Sequence, residues 1–485
     1  MTPALMIQGT ASHVGKTLLT AGLCRVLLQD GVRVAPFKAQ NISLNSFVTA
    51  EGQEIARAQA VQAVASRIEP DVRMSPILLK PDAHGCQTIL RGRPVTGLLT
   101  PEEAFAAAAD AYNALAADFD CILIEGSGSP AEINLRERDI ANMRMAHHAQ
   151  ARVLLAGDIE RGGVFAALIG TMELLRQSER DRVAGYLINR FRGDSALLRE
   201  ACDFMRERTN RPVLGVIPFM EKLNLPEEDT LSLRHTADQR ESRRAPEPEV
   251  IDIALIALPH ISNFTDLDPL RLEEDVCVRI VEPGEAIGEP DALILPGTKN
   301  TLADLATLRS CEMDRQIQRL ADSGSCEIIG ICGGYQMLGG AIRDPDSVES
   351  HQDMAQGLGL LPLETSFARE KILRRIRTRH RVSGHLITGY EIHHGQSVTS
   401  GGRPLFTDNP GGLATPDGRV WGCYLHGLFD PDEFRRWFIN RLREKRGLPP
   451  LAGGAVYSLE PALDRIAKVL RESLRLKEIY ELLKL

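Results

Sequence analysis

The sequence predicts an α/β protein built from two successive units of that class. Short apolar runs recur through the first half, each followed by Gly or polar residues and then by a helical pattern: ALMIQG, CILIEG, RVLLAGD, VAGYLIN and VLGVIP. They lack alternation with polar residues, which is typical of strands buried on both faces of a parallel sheet. A second series follows with IDIALIAL, DALILPG and EIIGIC. Two such series predict two parallel sheets covered by helices.

The domain boundaries follow from a change in composition. The chain of 485 residues is too long for one ordinary core. The stretch TADQRESRRAPEPEV is charged, contains prolines and lacks apolar periodicity. We therefore predict a first domain over 1–235, a linker over 236–250 and a second domain over 251–443. Residues 444–485 are predicted to be a helical extension that docks an amphipathic face on one domain, because ALDRIAKVLRESLRLKEIYELLKL spaces its apolar residues by three and four.

Charge and cysteine content restrict the partners and the compartment. A net charge of −8 gives no broad positive field for nucleic acid, so small molecules are the expected partners. The nine cysteines are an odd number without C-x-x-C spacing, which favours a reducing cytoplasm. No basic leader with a long apolar run opens the chain, and no 18 apolar residues occur in succession, so neither secretion nor a membrane is expected. Association of identical copies is left open.

A phosphate-binding loop is predicted near the start of the chain. Between an apolar strand, Ala4 to Ile7, and a helix expected over Leu18 to Leu28 lies a loop that ends Gly15-Lys16-Thr17. In such a loop the backbone N–H groups surround phosphate oxygens, the lysine reaches the outer phosphates and the hydroxyl binds Mg²⁺. Five residues separate Gly9 from Gly15, one more than usual. The strand, loop and helix order still predicts a nucleotide site.

Two acidic residues end later strands and are candidate metal ligands. Glu125 follows CILI and Asp158 ends RVLLAGD. The carboxyl ends of parallel strands face the ligand crevice of an open sheet, so either side chain could hold the metal ion. Capping of a strand or helix end is the alternative role for each.

The loop GTASHVGKT resembles that of dethiobiotin synthetase and its relatives, which carry GT-x-x-x-VGKT with the same extra residue. This resemblance implies that ATP phosphorylates a carboxylate. It implies ATP-binding roles for Thr10, Gly15, Lys16 and Thr17, and a place for Glu125 in the Mg²⁺ site. It also implies that Asn189 in LINRFRGD reads the adenine, although Asn189 could equally be a turn residue.

A nucleophilic cysteine is predicted in the second half. In EIIGICGGYQMLGG, Cys332 stands between a β-branched strand and Gly333-Gly334, where a tight turn into a helix would present it outward. The helix N-terminus stabilises a thiolate there. Such a thiol needs a base, and the best candidate is His426 in WGCYLHGLFD. The pair His393-His394 competes, with a strand end or pocket lining as its other role.

The arrangement G-x-C-G-G-x-Q with a distal Y-x-H-G resembles the class I glutamine amidotransferase domain. The resemblance implies that Cys332 attacks the glutamine amide and that His426 moves the protons. It also implies an oxyanion hole formed by Gly333 and by Gly297 of LPGTKNT. Ordinary members carry His-Pro-Glu, but here Leu428 stands two residues after the histidine. The third member is therefore missing or supplied from elsewhere, with Asp430 a candidate.

Several longer stretches resemble the cobyric acid synthase family: FKAQNISLNSFVT, EIARAQAVQA, MSPILLKP, GSPAEINLRERDIANM and GDIERGGVFA. The resemblance implies ATP- and glutamine-dependent amidation of the b, d, e and g carboxylates of adenosylcobyrinic acid a,c-diamide, with Mg²⁺, in cobalamin biosynthesis. Polar residues in these stretches become substrate or phosphate contacts, with loop capping as the alternative: Lys38, Gln40, Asn41, Asn45 and Lys80. A domain-junction role is considered for Arg136, Arg138 and Asp139.

Three other functions compete with this hypothesis. A nucleotide-switch ATPase that dimerises would fit the deviant loop but has no use for Cys332 with His426. An amidotransferase could act on another carboxylate, such as that of a sibling corrinoid or a cell-wall precursor. Finally, the lack of an acid after His426 could leave the glutaminase domain inert, with external ammonia as the nitrogen source.

Overall fold

The computed structural model describes residues 2–82, 85–95, 97, 99–221, 223–226 and 248–485. It contains two largely parallel sheets flanked by helices, which confirms the predicted fold class. Most of the predicted linker, 236–250, and the end of the predicted first domain lie outside the described residues, so these boundaries remain predictions.

The first half forms a six-stranded parallel sheet and smaller sheets beside it. Its strands are β1 (Ala4–Gly9), β2 (Val34–Phe37), β3 (Gln40–Ile42), β4 (Ser46–Val48), β5 (Glu54–Ala56), β6 (Ile77–Asp82), β7 (Gly85–Leu90), β8 (Arg93–Val95), β9 (Cys121–Glu125), β10 (Arg152–Asp158), β11 (Val183–Phe191) and β12 (Val213–Pro218). Its helices are α1 (Lys16–Gln29), α2 (Arg57–Ala65), α3 (Pro101–Ala116), α4 (Met143–His148), α5 (Val164–Leu174), α6 (Gln177–Arg180) and α7 (Arg199–Thr209).

The order of the six strands, β12-β11-β10-β1-β9-β2, places β1 in the interior of the sheet. All six residues of β1 are buried. Its side chains divide between two cores: Met6 belongs to the cluster on one face, and Leu5 and Ile7 to the cluster on the other. Burial on both faces explains why this strand is continuously apolar.

The second half forms another parallel sheet with antiparallel additions. Its strands are β13 (Ile251–Ile256), β14 (Val276–Val281), β15 (Ala292–Leu295), β16 (Glu327–Ile331), β17 (Ala341–Arg343), β18 (Met354–Gln356), β19 (Leu363–Arg379), β20 (Leu386–Thr399), β21 (Arg403–Pro404), β22 (Gly412–Ala414), β23 (Val420–Cys423) and β24 (Leu425–His426). Its helices are α8 (Asp268–Arg271), α9 (Thr301–Ser310), α10 (Met313–Ser323), α11 (Gly333–Met337) and α12 (Asp432–Lys445), followed by α13 (Glu460–Ser473) and α14 (Leu476–Leu483).

The main sheet of this half has the order β14-β13-β15-β16-β23-β22-β21 and is parallel from β14 to β23. A second sheet, β18-β17-β19-β20-β24, is dominated by the long antiparallel pair β19 and β20. The first half carries a four-stranded sheet, β3-β6-β7-β8, and the hairpin β4–β5. The four-stranded sheet and the hairpin of the first half were not predicted, because their short strands carry no long apolar run.

The C-terminal extension returns to the first half of the chain. Leu463, Ile466 and Leu470 of α13 belong to the same core cluster as helix α1. The packing is close, since a Cβ on Gly22 would lie 2.4 Å from Cγ2 of Ile466. The amphipathic face predicted from the sequence therefore docks on the first half, although the extension follows the second half in the chain.

The hairpin β4–β5 connects the two halves. Phe47 and Val48 pack in one small cluster with Leu373, Tyr390 and Ile392 of β19 and β20. Glu54 of the hairpin also forms an ion pair with Lys371 of β19, with 2.6 Å between Oε2 and Nζ. Strand β20 in turn pairs with β24, which ends at His426. The hairpin thus lies beside the strand that carries the predicted base.

Candidate active site

Cys332 occupies the strained turn that the sequence predicts. It follows β16 and precedes α11, and its backbone has φ 50° and ψ −107°. A positive φ is costly for a residue with a side chain and persists only where the surroundings impose it. Here the Cys332 N–H donates to the Cys423 carbonyl at 2.8 Å. This conformation presents the sulfur at the carboxyl end of the sheet, as a nucleophile requires.

His426 is the histidine that lies beside this thiol. It is completely buried, and Cys332 is among the groups that raise its pKa; the thiol itself donates to the Ile392 carbonyl at 3.8 Å. Its Nδ1 lies 2.7 Å from Oδ2 of Asp266, whose Oδ1 accepts from the Gly427 N–H at 2.9 Å. Burial lowers the pKa of His426, but the Asp266 carboxylate outweighs it and holds the pKa above its ordinary value. Cysteine, histidine and aspartate thus form a catalytic triad arrangement.

The carboxylate that contacts His426 is supplied from elsewhere in the chain, by Asp266 rather than by the candidate Asp430. Nδ1 of His426 contacts the carboxylate of Asp266. The Asp430 carboxylate lies next to Gly427 instead: a Cβ on Gly427 would be 3.1 Å from Asp430 Oδ2. Burial raises the pKa of Asp430 to about 7, opposed by Arg57 and reinforced by Asp266. Asp266 stands in ISNFTDLDPL, 160 residues before His426. No spacing rule joins them, and only the folded chain shows the pair.

The two predicted oxyanion-hole glycines border the catalytic pair. A Cβ on Gly297 would lie 3.0 Å from Cε1 of His426. A Cβ on Gly333 would lie 2.5 Å from Cγ2 of Thr298, which follows Gly297 in the chain. The loop after β15 and the start of α11 therefore meet at the thiol, where only glycines fit. Backbone N–H groups at such a junction are suited to stabilise a tetrahedral oxyanion.

The competing pair His393-His394 is engaged elsewhere. His393 contacts its own chain through Nδ1, 2.7 Å from the Gly395 carbonyl, and its ring stacks on Tyr424 at 3.7 Å. His394 Nδ1 lies 3.1 Å from the Ala368 carbonyl, and burial lowers its pKa to about 3. These contacts favour pocket lining over general-base chemistry.

The phosphate loop of the first half has the expected local geometry. Gly15 has φ 95°, a left-handed conformation that favours glycine, and α1 begins at the next residue. Lys16 Nζ donates to the carbonyls of Ala11 and Gly128, each at 2.9 Å. Thr17 Oγ1 donates to Oε1 of Glu125 at 2.9 Å. Lysine, hydroxyl and carboxylate thus converge where β1 and β9 end.

The remaining candidates for nucleotide and metal binding are placed as follows. Asn189 donates through Nδ2 to the Val14 carbonyl at 2.9 Å, so its side chain supports the phosphate loop. Thr10 donates its backbone N–H to the Ala156 carbonyl at 2.9 Å. Asp158 forms an ion pair with Arg190, with 2.9 Å between Oδ2 and Nη1. The contact with Thr17 favours Glu125 over Asp158 as the principal metal ligand.

Magnesium suits the donors at the phosphate loop. Mg²⁺ prefers hard oxygen ligands and commonly uses one or two carboxylates together with substrate phosphates. Thr17 Oγ1 and Glu125 Oε1 are such oxygens, 2.9 Å apart. In the described part of the chain no three His, Cys, Asp or Glu residues form a metal-binding group.

The proposed substrate residues form two groups. Lys38 lies at the phosphate loop, where Nζ is 2.9 Å from Oε1 of Glu125. Lys80 is buried between the halves and pairs with Oε1 of Glu54 at 2.8 Å; burial lowers the pKa of Lys80 to about 8. Asn41 donates to Ser75 Oγ at 2.9 Å. Gln40 and Asn45 lie in β3 and just before β4.

The residues considered for a domain junction have their contacts within the first half. Arg136 donates to the Leu174 carbonyl at 2.5 Å, and Asp139 accepts from the backbone N–H groups of Ala141 and Asn142. Arg138 donates its backbone N–H to the Leu135 carbonyl. Contacts between the halves come from other residues: the hairpin β4–β5, which sequence reasoning did not single out, the ion pair of Glu69 with Arg375, and the contact of Gln87 with His394.

Comparison with known proteins agrees with both sites. Residues 5–233 match the family model of the CobQ/CobB/MinD/ParA nucleotide binding domain. Residues 252–434 match that of the CobB/CobQ-like glutamine amidotransferase domain. A nucleotide loop and a cysteine–histidine–aspartate site on one chain define a glutamine amidotransferase that carries its own nucleotide-binding domain.

Full-length relatives identify the family. The cobyric acid synthase of Nitratidesulfovibrio vulgaris is 50% identical over 99% of this chain and 97% of its own length. That of Moorella thermoacetica is 48% identical over 93% of this chain and 91% of its own length. That of Pelotomaculum thermopropionicum is 45% identical over the whole of this chain and 97% of its own length. The chain belongs to the cobyric acid synthase family.

Proposed function

We propose that this enzyme is a glutamine-hydrolysing cobyric acid synthase. It amidates the b, d, e and g carboxylates of adenosylcobyrinic acid a,c-diamide, with ATP and glutamine as co-substrates, to give adenosylcobyric acid. The observation that carries this proposal is the coexistence of two complementary sites on one chain: a thiol paired with His426, and a phosphate loop whose Thr17 contacts Glu125. We place the reaction in the cytoplasm, because all nine cysteines, each within the described residues, are free thiols.

The second half supplies the ammonia. His426 takes the proton of the Cys332 thiol while the sulfur attacks the side-chain carbonyl of glutamine. The carbon–nitrogen bond then breaks, and Nε2 of His426 returns the proton to the departing nitrogen, which leaves as ammonia. Water hydrolyses the resulting thioester to glutamate. Asp266 holds the imidazole through Nδ1 and stabilises its charged form, as the third member of a triad does.

The first half activates the carboxylate. Phosphorylation converts the carboxylate, whose oxygen is a poor leaving group, into an acyl phosphate. Ammonia attacks the carbonyl carbon of the acyl phosphate, the carbon–oxygen bond breaks, and inorganic phosphate leaves. Lys16 would bind the outer phosphates of ATP, and Thr17 and Glu125 would hold Mg²⁺, which neutralises phosphate charge when bound. Lys38 forms an ion pair with the Glu125 carboxylate, and its ammonium group is placed to attract an anionic substrate. The ammonium of Lys80 lies farther from the loop, in the interface with the second half.

A single site that acts on four carboxylates of one bulky substrate should be wide and open. Partly amidated intermediates would then leave and rebind between turnovers. A time course resolved by mass spectrometry should show free intermediates before the final product accumulates. Appearance of the fully amidated product without free intermediates would contradict this part of the proposal.

The decisive experiment combines the purified enzyme with ATP, Mg²⁺, glutamine and adenosylcobyrinic acid a,c-diamide. Mass spectrometry should show the substrate converting four carboxylates to amides. With ¹⁸O in the substrate carboxylates, one ¹⁸O should appear in inorganic phosphate for each amide formed. Amide formation without ¹⁸O transfer would contradict the acyl phosphate, and no amide at all would overturn the proposed substrate.

The Cys332→Ala variant separates this enzyme from one with an inert glutaminase domain. Glutaminase activity should disappear while amidation with ammonium chloride is retained. Cys311→Ala is the matched control, because that thiol packs against the hydrophobic core of the same half without a role in the triad. Equal activity of Cys332→Ala and wild type with glutamine would refute the nucleophile.

A further inference from the structure

Asn263 connects the catalytic histidine to the first half of the chain. Asn263 precedes the short 3₁₀ helix Phe264–Leu267, which carries Asp266. The Asn263 backbone has φ 52°, and its side chain is buried. Its Oδ1 accepts from the Ser46 N–H of β4 at 2.8 Å. Its Nδ2 lies 3.4 Å from Nε2 of His426, the nitrogen that serves the Cys332 thiol. One amide group therefore spans the interface between the halves.

The orientation of this amide follows from its partners. A backbone N–H can only donate, so the atom that faces Ser46 N must be the carbonyl oxygen of Asn263. The NH₂ group is then the one that faces His426. An NH₂ group suits an imidazole nitrogen with a lone pair and opposes one that carries a proton. The contact with Ser46 thereby favours the base form of His426 at Nε2.

Ser46 is held on its other side by a second neighbour of the histidine. Tyr390 donates its hydroxyl to the Ser46 carbonyl at 2.9 Å. The Tyr390 ring stacks on His426, with 5.4 Å between centroids and 26° between planes. Ser46 of the hairpin β4–β5 thus contacts two neighbours of the imidazole: its N–H donates to Asn263, and its C=O accepts from Tyr390.

We propose that Asn263 is a positioning residue that favours the neutral form of His426, the form able to take the Cys332 proton at Nε2, and that Ser46 fixes the orientation of its amide from the first half of the chain. The inference rests on the proposed function in one respect, namely that Cys332 and His426 hydrolyse glutamine. It adds that the glutaminase site is complete only when the hairpin is docked.

Two opposite influences then act on the imidazole. Asp266 at Nδ1 stabilises the protonated ring, whereas the Asn263 NH₂ at Nε2 destabilises it. The other ionisable groups that face His426 are Cys332 and Tyr390. Tyr390 in turn interacts with Arg57, Asp430 and Tyr457, and Asp430 interacts with Asp266 and Asp268. The balance matters because Nε2 must accept the thiol proton in one step and release it to the departing nitrogen in the next.

The isosteric variant Asn263→Asp tests this role through the pH profile of glutamine hydrolysis. Aspartate retains an acceptor for the Ser46 N–H but presents a carboxylate oxygen to Nε2. The acidic limb of kcat/KM should move to higher pH by about one unit, which is a tenfold loss near neutrality that is recovered at higher pH. Asn263→Gly, which tolerates φ 52°, should move the limb in the same direction by less.

A merely structural role would lower kcat/KM equally at every pH, and that result, or a profile that overlays wild type, would overturn the inference. The control for the substitution itself is Asn210→Asp, an exposed asparagine with φ 54° in the first half. The ¹⁵N chemical shifts of His426, assigned with His426→Gln, supply a second readout. Nε2 should lose its proton at a lower pH in wild type than in Asn263→Asp. Loss of the Nε2 proton at the same pH in both proteins would contradict the proposal.

The contribution of the first half is tested at Ser46. Ser46→Pro removes the backbone N–H and should shift the limb as Asn263→Gly does, whereas Ser46→Ala retains the N–H and should keep the wild-type limb. Equal shifts of the acidic limb in Ser46→Pro and Ser46→Ala would refute the role of the Ser46 backbone N–H. If Ser46→Pro does not fold, the pH profile of Asn263→Asp is the deciding measurement. Amidation with ammonium chloride should persist in Asn263→Asp. If wild type forms no amide, the proposed function is refuted. The inference about Asn263 is still tested in that case, because it concerns only the pH profile of glutamine hydrolysis.

Discussion

The thiol site and the phosphate loop differ in how their charged groups are satisfied. At the thiol site, the carboxylate of Asp266 lies 2.7 Å from His426, and both residues belong to the second half. At the phosphate loop, Lys16 donates to two backbone carbonyls, which phosphate oxygens can replace. The first site is organised for acyl transfer by its own charges. The second is organised to exchange its contacts for those of a nucleotide, so substitutions should separate the two activities.

The largest expected effect is that of Asp266→Asn. The imidazole would lose the carboxylate that fixes its tautomer and raises its pKa, and glutamine hydrolysis should fall on the order of 10³- to 10⁴-fold. Amidation with ammonium chloride should be unchanged. Steady-state assays with both nitrogen sources check this.

Asp268→Asn is the control for that variant, since Asp268 lies two residues along and its carboxylate pairs with Arg271 at 3.5 Å. A loss shared by both nitrogen sources in Asp266→Asn would indicate general damage and weaken the proposed triad.

The reciprocal substitution, Lys16→Ala, should lower amidation with either nitrogen source. Removal of a cation from the phosphates costs on the order of 10²- to 10³-fold in related cases of electrostatic stabilisation. The glutaminase site, which lies in the other half, should still hydrolyse glutamine. Product analysis in parallel with glutamate release measures both activities. Retained amidation would remove the phosphate loop from the reaction.

A smaller effect, on stability, is expected at the docked extension. Ile466→Ala leaves a cavity against α1, and such truncations cost about 2–5 kcal/mol. The thermal midpoint of the nucleotide-binding half should fall, as differential scanning calorimetry would show. Lys468→Ala, on the exposed face of the same helix, should leave it unchanged. Equal behaviour of the two variants would contradict the docking.

The smallest effect is expected at the ion pair between the halves. Burial disfavours a charged Glu54, but Lys371 and Lys80 hold its pKa well below the usual value. A lowered carboxyl pKa contributes stability that is present above the unfolded-state pKa and is lost as the pH falls through the folded-state value. Lys371→Gln should raise that pKa and cost about 1–3 kcal/mol.

Acid sensitivity should then begin at a higher pH in Lys371→Gln than in wild type. Unfolding midpoints measured from neutral to acid pH would show this, with the exposed Lys477→Gln as control. Parallel pH curves for Lys371→Gln and wild type would argue against a structural role of the pair.

Local sequence patterns account for the interior strands of the two parallel sheets and for the turn that carries the predicted nucleophile. The runs at Ala4 and Glu327 predicted interior strands because burial on both faces demands continuous apolarity. Cys332 was recognisable because the tight turn needs glycines beside it. Asp266 and Ser46 were not, since each meets His426 or its neighbours only through tertiary contacts. The hairpin β4–β5 was missed for a different reason: its strands are three residues long, too short to show a periodic apolar pattern.

The central claim is that nitrogen freed by Cys332 in the second half is captured by a carboxylate activated in the first. Glutamine labelled with ¹⁵N in its side-chain amide tests it most directly, with product analysed by mass spectrometry in wild type and Cys332→Ala. The account predicts one ¹⁵N per new amide in wild type and none in the variant, which should make unlabelled product once ammonium chloride is added. Equal ¹⁵N incorporation by both proteins, or amides formed without ATP hydrolysis, would contradict it.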